Sequence, residues 1–194
     1  MSHYAIVVDL DRCIGCHGCE IACKNENEVE LGSFWNKVVQ VGPFGDYPHL
    51  HQYFLPVMCQ QCDDSPCTHV CPTGASYRDE NNVVLVDKEK CIGCKYCMMA
   101  CPYGVRSWNA SEHVVEKCTL CGQLTSVGEE PKCVAACCAS ARFYGDLDDP
   151  NSDASKALAA AGADSVHRLK DVGNGPQTAY ILSAKYAEWK EEVK

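Results

Sequence analysis

The stretch Cys91-Ile92-Gly93-Cys94-Lys95-Tyr96-Cys97-Met98-Met99-Ala100-Cys101-Pro102 limits what this chain can fold into more than any other. Three cysteines at intervals of three gather three thiolates around one point, on a loop that turns into a helix. The fourth sits one helical turn past Cys97 and aims elsewhere, and Pro102 stops the helix. In this spacing three thiolates hold one iron–sulfur cluster and the fourth ligates its neighbour. Gly93 omits a side chain where the backbone must wrap closely around a bulky inorganic core. A zinc site has no need of a third cysteine so near the second.

The pattern occurs four times. Group one is Cys13, Cys16, Cys19 and Cys23; group two is Cys59, Cys62, Cys67 and Cys71, followed by Pro72. Group three is the stretch above, and group four is Cys118, Cys121, Cys133 and Cys137. Together they take 16 of the 17 cysteines and leave Cys138. A duplication extends beyond the thiols: Val8-Asp9 before Cys13-Ile14-Gly15-Cys16 matches Val86-Asp87 before Cys91-Ile92-Gly93-Cys94. A strand, a turn and a cluster loop thus recur as one unit. So many cysteines in 194 residues mean a disulfide scaffold, a metal protein, or both. A disulfide framework does not predict regular triplets.

The net charge of −9 argues against nucleic acid, which needs a basic stripe. No apolar run is long enough for a transmembrane helix. The start, Met1 to Val8, reads as a short apolar strand and not a signal peptide, so a membrane or exported location must come from a partner. Strands are expected at Tyr4–Asp9, Ser33–Val41, His51–Val57, Val83–Val86, Val105–Asn109, His113–Lys117, Arg142–Tyr144 and Gln177–Ser183. A turn-rich link spans Gly42–Pro48. Helices are expected at Glu20–Glu26 and at Ala154–Ala161, with Tyr186, Trp189 and Val193 on one further apolar helical face. Residues 122–132 form an insertion between ligands of group four, with Gly128 as a turn. Residues 1–145 read as a double cluster-binding domain, and residues 146–194 as a cysteine-free segment that wraps the core or meets a partner.

Sixteen thiolates satisfy four [4Fe–4S] clusters. Because each fourth cysteine crosses over, the groups must pair. The neighbouring groups two and three give Cys59, Cys62, Cys67 and Cys101 (cluster C), and Cys91, Cys94, Cys97 and Cys71 (cluster D). By elimination, groups one and four give Cys13, Cys16, Cys19 and Cys137 (cluster A), and Cys118, Cys121, Cys133 and Cys23 (cluster B). The fold class is α+β: two packed bacterial-ferredoxin-like units of short strands, short helices and cluster-binding loops. A row of clusters carries single electrons between redox sites. Fully thiolate-ligated clusters offer no open position, so this chain alone is expected to transfer electrons and not to catalyse.

Group two with Asp63-Asp64-Ser65-Pro66 in its loop, group three with Cys101-Pro102-Tyr103-Gly104-Val105-Arg106, and Gly145-Asp146-Leu147-Asp148-Asp149-Pro150 together resemble the iron–sulfur subunit of the molybdopterin oxidoreductases. This is the dimethyl sulfoxide reductase family. The relatives concerned are the dimethyl sulfoxide, polysulfide, thiosulfate, tetrathionate and respiratory arsenate reductases, and the compact length is most similar to the polysulfide and thiosulfate type. The resemblance covers nearly the whole chain. It implies the same pairing of group one with four and two with three. It also implies a catalytic subunit carrying molybdenum or tungsten bis-pterin, a membrane subunit handling quinone or a soluble carrier, and export with the catalytic subunit, with a cytoplasmic location as the alternative. Cys97 is present where some relatives hold a three-iron cluster, so four cubanes are expected. Cys138 stands where the family has proline; it either competes with Cys137 as a ligand or is a buried spare thiol.

Other residues near the groups carry two readings each. His17 tunes a cluster or shields its loop. Lys24, Lys95, Lys117, Arg78 and Arg106 raise cluster potentials or make ordinary ion pairs. Tyr96, Tyr103 and Trp108 pack against clusters, and Asp63 and Asp64 form a turn. Two other functions compete. An electron carrier of a hydrogenase or formate dehydrogenase complex differs in the metal of its partner. A zinc-stabilised interaction module differs in colour.

Overall fold

A computed structural model describes residues 2–185 and 187–191. Its longest-range element is a four-stranded sheet. Strand β1 (Tyr4–Asp9) is a continuous apolar run, Ala5 to Val8, with no exposed surface. A strand buried on both faces reads this way because neither face meets water. β8 (Arg142–Asp146) pairs with it antiparallel, Val8 opposite Arg142 and Tyr4 opposite Asp146. β10 (Ala179–Ile181) pairs with it parallel on the other side, Val7 opposite Ala179. β9 (Val166–His167) closes the edge and gives the order β8–β1–β10–β9. The cysteine-free segment therefore supplies an inner strand of the sheet.

Three hairpins complete the strand set. β2 (Asn36–Phe44) pairs with β3 (His51–Met58), with a bulge between Val41 and Phe44. β4 (Ser76–Arg78) pairs with β5 (Val84–Val86), and β6 (Ser107–Asn109) with β7 (Val114–Glu116). β2 begins and ends three residues later than Ser33–Val41. At its start, the Lys24 ammonium ties down the Ser33 carbonyl at 2.6 Å. At its end, the bulge lets pairing continue past Gly42 and Pro43.

The helices are short. α1 (Gly18–Glu26) carries Cys19 and Cys23; α2 (Pro66–His69) carries Cys67; α3 (Tyr96–Met99) carries Cys97. α4 (Gly122–Thr125) lies in the group-four insertion, α5 (Lys132–Ala135) carries Cys133, and α6 (Asp153–Ala161) packs on β1 and β8. Ser152 caps α6, its hydroxyl accepting from the Ser155 amide at 3.1 Å. Of the expected C-terminal helical face, Tyr186 and Val193 lie outside the described residues. Trp189 stands in irregular chain and stacks on His167 and Tyr53.

The duplication is visible in the backbone. Gly15 and Gly93 have φ of +66° and +68°, and His17 and Lys95, at the entries of α1 and α3, have φ of 60° and 63°. The same left-handed steps turn both loops into their helices.

Candidate cluster-binding sites

The folded chain brings together cysteines that are far apart in sequence. One cavity is lined by Cys13, Cys16, Cys19 and Cys137, with Arg142, Val38 and Pro56. Another is lined by Cys71, Cys91, Cys94 and Cys97. Cys23 has Cys118, Cys133 and Cys121 as its charge neighbours, and Cys62 has Cys59, Cys101 and Cys67. Every set therefore holds three cysteines of one group and the fourth cysteine of another. Neighbouring sets lie within electrostatic reach of one another: Cys133 feels Cys19, Cys118 feels Cys59, and Cys97 feels Cys67. The order along the molecule is A, B, C, D. In the two middle sets nearly every cysteine is buried, Cys101 being half-buried, whereas each end set has one exposed cysteine, Cys16 and Cys94.

Local chemistry serves these sulfurs. The amides of Ser76 and Ala141 donate to Cys71 Sγ and Cys137 Sγ, each at 3.3 Å. Asn174, fully buried, donates from Nδ2 to Cys62 Sγ at 2.9 Å. It is held by the Asp171 carboxylate, which accepts from the amides of Gly173, Asn174 and Gly175. Asn27 Nδ2 lies 3.8 Å from Cys23 Sγ and 3.7 Å from Cys121 Sγ. Neither asparagine stands out in the sequence. The turn-forming run Asp171-Val172-Gly173-Asn174-Gly175-Pro176 is the one local signal for Asn174.

The candidates of the second rank divide. Lys24 bonds the Glu30 and Ser33 carbonyls and covers the Phe34 ring, so it braces a loop. Arg78 bonds Asn82 and the Cys62 carbonyl, bracing the group-two loop. Lys95 sits 4.0 Å over the Trp108 ring, and His17 lies 3.1 Å from the Glu20 carboxylate. Asp63 and Asp64 pair with His3 and His69. Tyr96 is exposed, while the Tyr103 hydroxyl donates to the Lys170 carbonyl at 3.0 Å. Lys117 is buried and bonds the Cys118 carbonyl at 2.6 Å. Cys138 is exposed and not a buried spare thiol; its Sγ is 3.8 Å from Cys16 Sγ.

The donor sets fit iron–sulfur clusters on three observations. Cysteine is the ligand type such clusters take. Burial pushes the Cys62 and Cys118 thiols up to about 12, with nearby cysteines adding to the shift. Such groups ionise at neutral pH only when a cation takes the charge. Finally, Arg106 and Arg142 are buried, the negative groups facing them are chiefly cysteine sulfurs, and Arg106 Nη1 and Arg142 Nε have no hydrogen-bond partner. A buried guanidinium of this kind requires anionic acceptors beside it.

Four sets of ferredoxin spacing on small sheets and short helices define an iron–sulfur electron-transfer protein. The 4Fe-4S dicluster domain matches residues 50–147, and a 4Fe-4S binding domain matches residues 10–27. The chain is 40% identical to a sulfite dehydrogenase subunit of Allochromatium vinosum, over 95% of this chain and 85% of the relative. It is 38% identical to the thiosulfate reductase electron transfer subunit of Salmonella typhi, over 97% of each. With the arsenate respiratory reductase iron-sulfur subunit of Shewanella sp. (strain ANA-3) it shares 34% identity, over 92% of this chain and 95% of the relative. The chain belongs to the [4Fe–4S] electron-transfer subunits of the molybdopterin oxidoreductase family.

Proposed function

We propose that the chain holds four [4Fe–4S] clusters in series, on the four crossed cysteine sets A to D, and relays single electrons between partners at its two ends. The observation that carries this reading is the unbroken order of the sets, with thiols deep in the middle and one exposed at each end. The clusters, when bound, supply one-electron carriers whose potentials the protein sets. The chain's own contribution is to fix sixteen ligands, bury the middle sets and present Cys16 and Cys94 to solvent or a partner.

The partner at one end is a large catalytic subunit with molybdenum or tungsten bis-pterin. A quinone-handling membrane subunit or a soluble carrier serves the other. The electron-transfer role of the relatives supports this reading. No helix among the described residues is long and apolar enough to cross a membrane. Membrane association runs through a partner, with export alongside the catalytic subunit. Residues 1–145 form two packed ferredoxin-like units, and residues 146–194 wrap them and contact a partner.

Anaerobic isolation from native cells tests the proposal. Brown protein with ~16 irons per chain, bleached by dithionite and accompanied by a large pterin subunit, is the expected result. Far fewer irons after reconstitution, or colourless protein holding zinc, would overturn it.

A further inference from the structure

The two halves of the duplicated fold each bury one arginine at the same place. Arg106 follows Cys101 by five residues, and Arg142 follows Cys137 by five. Both cysteines are the crossing members of their sets. Ala141, just before Arg142, gives its amide to Cys137 Sγ at 3.3 Å, and Val105 holds the same place before Arg106. The local geometry thus aims both guanidinium groups inward, and they are 6% and 4% exposed.

What they meet differs from ordinary ion pairs. Arg142 lines the cavity of set A and has Cys133, Cys19 and Cys118 as its charge neighbours, so it lies between sets A and B. Arg106 has Cys67, Cys97 and Cys59 as its charge neighbours, so it lies between sets C and D. Their other partners are neutral: Asn36 Oδ1 at 3.4 Å and Met58 Sδ at 2.9 Å for Arg142, and Ser76 Oγ at 2.8 Å for Arg106. Among the described residues no carboxylate forms an ion pair with either. Burial works against both charges, and the surrounding cysteines outweigh it.

We propose that Arg142 and Arg106 are paired potential-setting residues, each straddling two adjacent clusters, A with B and C with D, and raising both members of its pair together. The inference rests on the ligand sets proposed above. A fixed positive charge beside a cluster stabilises the reduced form, which carries one more negative charge. The effect is large where no water screens it. One arginine per pair therefore acts on two neighbours at once: a charge shared by both raises the two potentials together and leaves the difference between them to the rest of each site. Arginine meets the requirement better than lysine, because its charge is spread over a planar fork and it cannot lose its proton.

Potentiometric titration of the complete chain with its clusters, followed by electron paramagnetic resonance, is the test. In Arg142→Gln the signals of A and B shift to lower potential, while C and D stay put; Arg106→Gln does the converse. The expected change in the oxidised-to-reduced ratio at the wild-type midpoint is at least tenfold, which is about 59 mV for a one-electron couple. Arg→Lys variants recover most of the shift, and Lys156→Gln, a surface control, moves none of the four. Asn36→Asp, which places a carboxylate against Arg142 without cutting the core, lowers A and B as well. It carries the test should Arg142→Gln fail to assemble. Unchanged potentials in the Gln and Asp variants, or equal shifts from Lys and Gln, would overturn the inference. The iron content and four signals of the wild type test the ligand sets separately.

Discussion

The two Cys-Ile-Gly-Cys loops offer a quantitative test of how the chain wraps its clusters. Gly15 and Gly93 both have positive φ, and both lie under an aromatic ring. A Cβ on Gly15 would stand 2.4 Å from Phe54 Cδ1; on Gly93 it would stand 2.9 Å from Trp108 Cη2 and 3.0 Å from the His113 carbonyl. Gly74 has nearly the same backbone, φ +67°, with nothing within 4 Å. Gly74→Ala therefore isolates the left-handed cost, about 1–2 kcal/mol. Gly15→Ala adds overpacking against the ring, typically about 1–3 kcal/mol more. For a chain of this size the added part is about 2–12 °C in apparent melting temperature. The assay is thermal unfolding of cluster-loaded protein at one scan rate, with iron retention after mild heating as a second readout. Gly15→Ala falls well below Gly74→Ala in both. In a Phe54→Ala background the gap between the two closes, because the ring that made it is gone. If the gap is missing in the native background, or survives removal of Phe54, the steric argument is wrong.

Two further outcomes follow from the geometry. Crossed ligation predicts that Cys71→Ser and Cys94→Ser perturb the same paramagnetic signal though they belong to different groups. Cys71→Ser and Cys67→Ser, from one group, perturb different signals, and finding Cys71 grouped with Cys67 would refute the crossing. In the iron-free chain, burial raises the Cys62 and Cys118 thiols from 9.0 to about 12, so the folded form keeps protons that the unfolded chain releases. Stability is then full below about pH 9 and falls as pH rises from there toward about 12. The urea midpoint of iron-free protein drops between about pH 7.5 and pH 10, and a steady or rising midpoint contradicts the burial.

What could be read from the sequence was what is local. Tyr4–Asp9 reads as a strand because its apolar run is short and unbroken, and β1 has those bounds. Ala154–Ala161 reads as a helix from its alanines, and α6 starts one residue earlier, behind its serine cap. The ligand groups are legible because three thiolates on one loop need fixed spacing. The place of β10 between β1 and β9 was not legible: a parallel pairing across about the whole chain leaves no local mark. β4 is three residues long and owes its pairing to β5. Asn174 carries no spacing rule either: it reaches Cys62 only through the tertiary fold, and a single asparagine in a sequence of this size is unremarked. Arg142 repeats the five-residue step of Arg106, but what its guanidinium meets is set by the tertiary fold.

Cys138 shows where the duplicated halves diverge. After Cys101 the chain continues Pro102-Tyr103-Gly104-Val105-Arg106; after Cys137 it continues Cys138-Ala139-Ser140-Ala141-Arg142. Both routes need five residues to bring an arginine under its cysteine. Pro102 stops its helix by lacking a donor. Both routes take a left-handed step three residues past the cysteine, at Gly104 (φ 62°) and Ser140 (φ 46°), and in the second route Cys138 is left facing outward beside Cys16. The left-handed step and the position of the arginine, and not the residue that follows the cysteine, are what the two halves have in common. That is the pattern expected when the buried charge serves the clusters and the helix stop serves only the chain.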